Sequence, residues 1–295
     1  MAWSHPVIDI HTHIQPWDTM KPWARKTISE GRRDYDTIAA CMNDPAALVD
    51  FLDKEEIERI ALINYVAPEI MGFQPSVNDW AAAYKAKASG RVIAFGGVDP
   101  KATPDVEAEM KRVFDELGLD ALKIHPPHQD LAPNAYRHGR CPELATIYRM
   151  LSDRKKPVTI HTGTSIFPGA RSSLGDPMLC DDVGVDFPDL KIILAHGGRP
   201  LWMEHAFFLL RRHRNMFLDI SGIPPQKLLE YFPRLEEIAD KVMFGTDWPS
   251  PGVKSIRQNL EAFEALPLPE ETKDKVRHRN ARRVFNLNDA GLGIR

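Results

Sequence analysis

At 295 residues, 43% of them hydrophobic, the chain can bury a large core. Lys and Arg total 38 against 41 Asp and Glu, so the net charge of -3 leaves no basic footprint for nucleic acid. No apolar run reaches the roughly 18 residues that a membrane-crossing helix needs.

The three cysteines, Cys41, Cys141 and Cys180, are scattered and form no Cys-x-x-Cys, so a reduced, cytoplasmic protein is expected. The first residues lack a basic segment followed by an apolar one, and no secretory signal is expected. Residues 1–295 read as a single domain.

The first predicted strand is Val7-Ile8-Asp9-Ile10-His11-Thr12-His13. Side chains alternate across a strand, so His11 and His13 share a face and can hold one metal ion. Asp9 is read as a structural polar group pointing away from that pair. Residues 14–43 read as one long irregular stretch, of the kind that is functional or mobile. Asp44-Pro45 supplies a helix cap and a first-turn proline for the helix Ala46–Glu55.

Strand-like apolar runs then alternate with helical patterns. RIALINYV (59–66) precedes a helix with Trp80, Ala83, Tyr84 and Ala88 on one face. RVIAFGGV (91–98) precedes a helix from Thr103 to Leu117, and DALKIH (120–125) precedes a helix from Pro142 to Leu151. PVTIH (157–161) leads into an irregular segment and a short helix at 178–185. KIILAH (191–196) precedes an apolar helix from Pro200 to His213, and MFLDI (216–220) precedes a helix from Pro224 to Ala239. KVMFGT (241–246) is the last strand, followed by helices over about 254–265 and 270–285.

These runs are continuously apolar rather than alternating, which fits a parallel sheet covered on both faces. Eight βα units predict a closed (β/α)8 TIM barrel, with an open doubly wound sheet as the alternative. No Gly-x-Gly-x-x-Gly follows the first strand, so a dinucleotide fold has no support.

Barrel active sites lie at the C-terminal ends of the strands. There the sequence places His11 and His13, then Lys123 and His125, then His161, His196 and finally Asp247. A strand must end on something polar, but repeated histidine followed by aspartate is the donor set of a metal site. Imidazole and carboxylate groups gathered at corresponding strand ends are compatible with a bound metal ion. His125, Arg199, Lys123 and Trp248 are the candidate substrate contacts. For His125 the competing reading is a capped core histidine, for Arg199 a surface salt bridge, and for Trp248 packing on the barrel rim. Asp219 and Ser221, at the end of the seventh strand, are read as supports for the ligands, or for Ser221 as a helix cap. His128, His138, His205, His213 and His278 read as loop or helix-surface residues.

The segments IDIHTH, KIH, VTIHTG, DFPDLKIILAHGG and FGTDWP carry a resemblance that spans Val7 to about Leu287. The chain resembles the metal-dependent amidohydrolase superfamily, in the branch that includes aminocarboxymuconate-semialdehyde decarboxylase. The resemblance implies a distorted (β/α)8 barrel with zinc as the usual metal. It implies His11, His13, His161 and Asp247 as ligands of one ion. His196 then contacts water or substrate and donates to a developing oxyanion. Lys123 stands where binuclear members carry a carboxylated lysine, so two metals held also by Lys123 and His196 are the alternative.

The same ligand set serves two reactions. The leading expectation is a zinc-dependent hydrolase of a cyclic amide, ester or lactone, with Asp247 and His196 as the catalytic pair. The alternative is a metal-dependent, non-oxidative decarboxylase of an unsaturated or aromatic acid. The resemblance counts against aromatic acids on one point: some decarboxylases that act on them begin with Glu-x-His, and this chain has His-x-His. A small-molecule substrate is expected, with no nucleic-acid or membrane partner. The apolar segment LWMEHAFFLL (201–210) exceeds one core-facing stripe, and a homodimer interface is expected there.

Overall fold

All eight apolar runs form strands in the computed structural model, which describes residues 6–287. They are β1 (Ile8–Thr12), β2 (Arg59–Leu62), β3 (Val92–Gly96), β4 (Ala121–Ile124), β5 (Val158–His161), β6 (Ile192–Ala195), β7 (Met216–Asp219) and β8 (Val242–Met243). Each pairs in parallel with the next, in the order β1 to β8 without reversal. A doubly wound sheet would reverse its order at a switch point, so that alternative is excluded. Backbone bonds join the two ends of the sheet: Ile10 N–H donates to Phe244 O at 3.0 Å, and Asp247 N–H to His11 O at 2.8 Å. The result is the expected (β/α)8 barrel.

The strands are short and almost wholly buried, which is why their sequences read as unbroken apolar runs. Outer helices form where the sequence carries their signals. Asp44 accepts from Ala46 N–H to open the helix Pro45–Glu55, and Ser255 accepts from Gln258 N–H to open Ile256–Glu264. The helix Met203–Arg212 turns Ala206, Leu209 and Leu210 inward and leaves Phe208 exposed. Among the described residues, no helix is long and apolar enough to cross a membrane.

Two expectations are corrected. Residues 14–43 are not irregular: they hold the helices Pro22–Ser29 and Tyr35–Asn43, separated at Gly31, whose φ is +73°. Each is too short to show a sustained helical period. The helix expected over 224–239 is broken into Pro225–Lys227, Leu228–Tyr231 and Leu235–Lys241. Pro233 sits between the last two, and the residue before a proline disfavours helical geometry.

Leu194, fully buried in β6, is squeezed between β5 and β7. Leu194→Ala is expected to lower the unfolding free energy by about 2–5 kcal/mol, read from the urea midpoint.

Candidate active site

The strand ends converge on a cavity of about 210 Å³. Its walls include His11, His13, Lys123, His125, His161, His196, Arg199 and Asp247. Ligand atoms of His11, His196 and Asp247 lie within 4.8 Å of one another, the arrangement of a candidate metal site. The Nε2 atoms of His13 and His11 lie 2.9 and 3.5 Å from Asp247 Oδ1. The His161 ring stands 4.8 Å from that of His196, centroid to centroid.

A second layer fixes which nitrogen faces the centre. His11 Nδ1 lies 2.5 Å from Asp219 Oδ2, and Asp219 Oδ1 accepts from Ser221 N–H at 2.9 Å. His11 therefore donates through Nδ1 and presents the Nε2 lone pair inward. That Nε2 and the Nε2 of His161 are buried without hydrogen-bond partners. Buried polar atoms in folded proteins are as a rule hydrogen-bonded, and two orphaned imidazole nitrogens beside a carboxylate fit a bound cation. His196 Nδ1 donates to the Ser221 carbonyl at 2.8 Å, so its Nε2 also carries a lone pair. A neutral His196 in this tautomer accepts a hydrogen bond at Nε2, which reverses the expectation that it donates to an oxyanion. Ser221 supports this ring and caps no helix, since the next helical turn starts at Pro225.

The electrostatics favour ligation. Burial, with Lys123 nearby, pulls His11 well below its usual range, and burial does the same for His161 and His196. Uncharged imidazoles have free lone pairs at neutral pH. Burial raises the Asp247 carboxyl, but the hydrogen bond with His13 and the charges of His13, His11 and Arg199 outweigh it and hold it below the ordinary carboxylate range. Burial lowers Lys123 to about 8, against the pull of Asp219 and Asp247.

The backbone is strained where the ligands sit. His196 and Asp247 have φ of +65° and +71°, in the left-handed region that side chains other than glycine rarely adopt. Strain of this kind persists only where its surroundings impose it. Asp9 is one of the groups that impose it: its structural role is as expected, but its direction is corrected, because the alternation that pairs His11 with His13 puts Asp9 on their face as well. Its Oδ1 accepts from the backbone N–H of His11 at 3.0 Å and of Thr246 at 3.1 Å, and its Oδ2 from the Thr246 hydroxyl at 2.6 Å.

The weaker candidates fall on both sides of the cavity wall. Lys123, His125 and Arg199 line it. Arg199 is half-buried, and among the described residues it makes no ion pair. Trp248 is buried and stacks on Phe51 at 5.1 Å, which is the rim-packing alternative.

His128 corrects its surface reading. It is buried in the wall, stacked on His125 at 3.5 Å, and His125 stacks in turn on His161 at 3.9 Å. Its Nδ1 lies 3.0 Å from the Tyr65 hydroxyl and its Nε2 2.8 Å from Ser165 Oγ. The signal was present: His128 stands three residues after His125 on the short helix Pro126–Gln129, and three residues is one helical turn. His213 is buried too, 2.7 Å from Asp181 and away from the cavity, and the His138 side chain lies outside the described set.

Residues 8–287 match the amidohydrolase family. The chain belongs to that family, and it is an enzyme of the amidohydrolase superfamily. The gamma-resorcylate decarboxylase of a Rhizobium species is 24% identical over 255 residues, which cover 72% of this chain and 76% of that one. The dihydroxybenzoic acid decarboxylase of Polaromonas sp. JS666, solved with manganese and the inhibitor 2-nitroresorcinol, superimposes with a TM-score of 0.69 at 19% identity. That match covers 97% of this chain and 98% of that one. The 5-carboxyvanillate decarboxylase of Sphingomonas paucimobilis gives a TM-score of 0.67 at 18% identity, over 97% of this chain and 100% of that one.

The leading expectation of a hydrolase is thereby corrected, because the curated relatives matched in sequence, from Rhizobium, Polaromonas and Rhodococcus, are gamma-resorcylate decarboxylases. The ligand set serves both reactions and had no power to choose. The manganese belongs to the Polaromonas protein, and the cluster of His11, His196 and Asp247 is this chain's own candidate metal site.

Asp219→Ala frees the His11 ring to turn. The expected result is about 10–100-fold weaker metal binding, measured by titrating the metal-stripped protein, with the circular dichroism spectrum unchanged.

Proposed function

We propose that this enzyme is a metal-dependent, non-oxidative decarboxylase of a small unsaturated or aromatic acid. The observation that carries this is the match to gamma-resorcylate decarboxylase across 255 residues, on a chain whose strand ends bring imidazoles and a carboxylate together. In this reading His11, His13, His161 and Asp247 hold one divalent ion, and His196 faces the same centre. The nitrogen-rich donor set suits zinc; manganese is the ion in the Polaromonas relative. When bound, such an ion supplies Lewis-acid stabilisation of negative charge on substrate oxygen atoms.

The protein's own groups orient the acid and move the proton. Arg199 and Lys123 supply positive charge on the cavity wall for a carboxylate, and His125 offers a hydrogen-bonding edge. Ile28, Met71 and Phe167 supply apolar wall for the body of the substrate. His196 Nε2 accepts from a substrate hydroxyl. Decarboxylation needs a proton on the carbon that carries the carboxylate. Asp247 is an anion at rest, so it first takes a proton from solvent water and then passes it from a carboxyl oxygen to that carbon. The electrons of the broken carbon–carbon bond return to the unsaturated system as CO2 departs, so no oxidant is required.

Incubation with 2,6-dihydroxybenzoate and related hydroxybenzoates is expected to release CO2. Asp247→Asn should reduce the rate by about 10²–10⁴-fold in a folded protein. No CO2 from any acid of such a panel would overturn the reading.

Elemental analysis is expected to find about one zinc or manganese per chain, and chelation should abolish turnover reversibly. About two metals per chain would require a carboxylated Lys123 as bridging ligand.

A further inference from the structure

A second cavity, of about 350 Å³, adjoins the first, and the two share Arg199 and Asp247 in their walls. Its other walls come from the loop after β7, the loop after β8 and the first turns of the helix Ile256–Glu264. The polar side chains it offers are Arg199, Lys254, Gln226, Gln258 and Asn259. Among the described residues its one carboxylate is Asp247, which is already committed to the histidine cluster. Two cations and three amides make a wall rich in hydrogen-bond donors, and the positive end of a nine-residue helix lies beside them.

Arg199 is seated at the junction of the two cavities. Gly222, at φ +64°, lies beneath its guanidinium: a Cβ there would come within 2.7 Å of Nη2 and 3.0 Å of Nε. The same Cβ would stand 3.1 Å from His196 Nδ1, so the guanidinium lies next to the ring of a candidate site residue. Its Nε is buried with no hydrogen-bond partner. A buried donor left open in a charged group calls for an acceptor.

We propose that this second cavity is an anion subsite for a second acidic group of the substrate. The substrate is then a di-acid: one carboxylate lies beside the histidine cluster and the other beyond Arg199, toward Lys254 and Asn259. The proposal rests on the decarboxylase reading for where the first carboxylate sits. The small first cavity holds one ring or short unsaturated chain, and the second gives the far substituent its own charged partners.

The test is calorimetric binding of isophthalate and of benzoate to the purified protein. Isophthalate is expected to bind at least about tenfold tighter than benzoate. Lys254→Met and, separately, Asn259→Leu should each reduce that ratio at least about threefold. Equal affinities in the unmodified protein, or a ratio that neither variant changes, would overturn the subsite. If sulfate made benzoate bind as tightly as isophthalate, the cavity would belong to a separate anion, and the di-acid assignment would fall. Preference for isophthalate without CO2 release from any acid would leave the subsite standing and remove the decarboxylase reading. CO2 release from a mono-acid without that preference would do the reverse.

Discussion

The barrel holds its reactive groups in place through one buried carboxylate. Asp9, on the first strand, accepts from the backbone of His11 on its own strand and from the backbone and hydroxyl of Thr246 after the last strand. Thr246 Oγ1 accepts in turn from Trp248 N–H at 3.1 Å, so the bonds bracket Asp247 on both sides. In a dry interior such bonds are strong and directional, and leaving any of them unmade is costly. They help to keep Asp247 in a left-handed backbone conformation that it would otherwise abandon. The closure of the barrel and the shape of the site therefore depend on the same few atoms.

A second layer repeats this logic on the opposite side. Asp219, the last residue of β7, and Ser221, two residues on, each take one imidazole, His11 or His196. Both rings then present Nε2 to the centre. Chemistry that needs lone pairs at fixed points is supported by groups that never touch the substrate. Gly245 shows how tight the arrangement is, because a Cβ there would come within 2.5 Å of Asp219 Oδ1.

The choice between hydrolysis and decarboxylation illustrates what a ligand set can tell. Imidazoles and a carboxylate polarise an oxygen and shuttle a proton in either reaction. What separates the reactions is where the substrate's own carboxylate sits, and that depends on the cavity wall rather than on the ligands. Arg199, Lys123 and the His161–His125–His128 stack form that wall here.

The sequence by itself determined the barrel and which side chains gather at the ends of its strands. Short buried strands leave unbroken apolar runs, and a ligand at a strand's C-terminal end is placed by the strand that precedes it. His11, His13, His161, His196 and Asp247 were legible for that reason. Tertiary structure alone decided the rest. The imidazole tautomers depend on Asp219 and Ser221, which meet His11 and His196 only when the ring of strands closes. Asp9 acquired its role from Thr246 at the far end of the chain. His128 looked like a surface histidine because, although His125 lies one turn before it, nothing local records that Tyr65 and Ser165 close over it. The cavity beyond Arg199 is likewise a product of loops that lie far apart in the chain. Local periodicity reports which face a residue occupies, and only packing reports what stands opposite it.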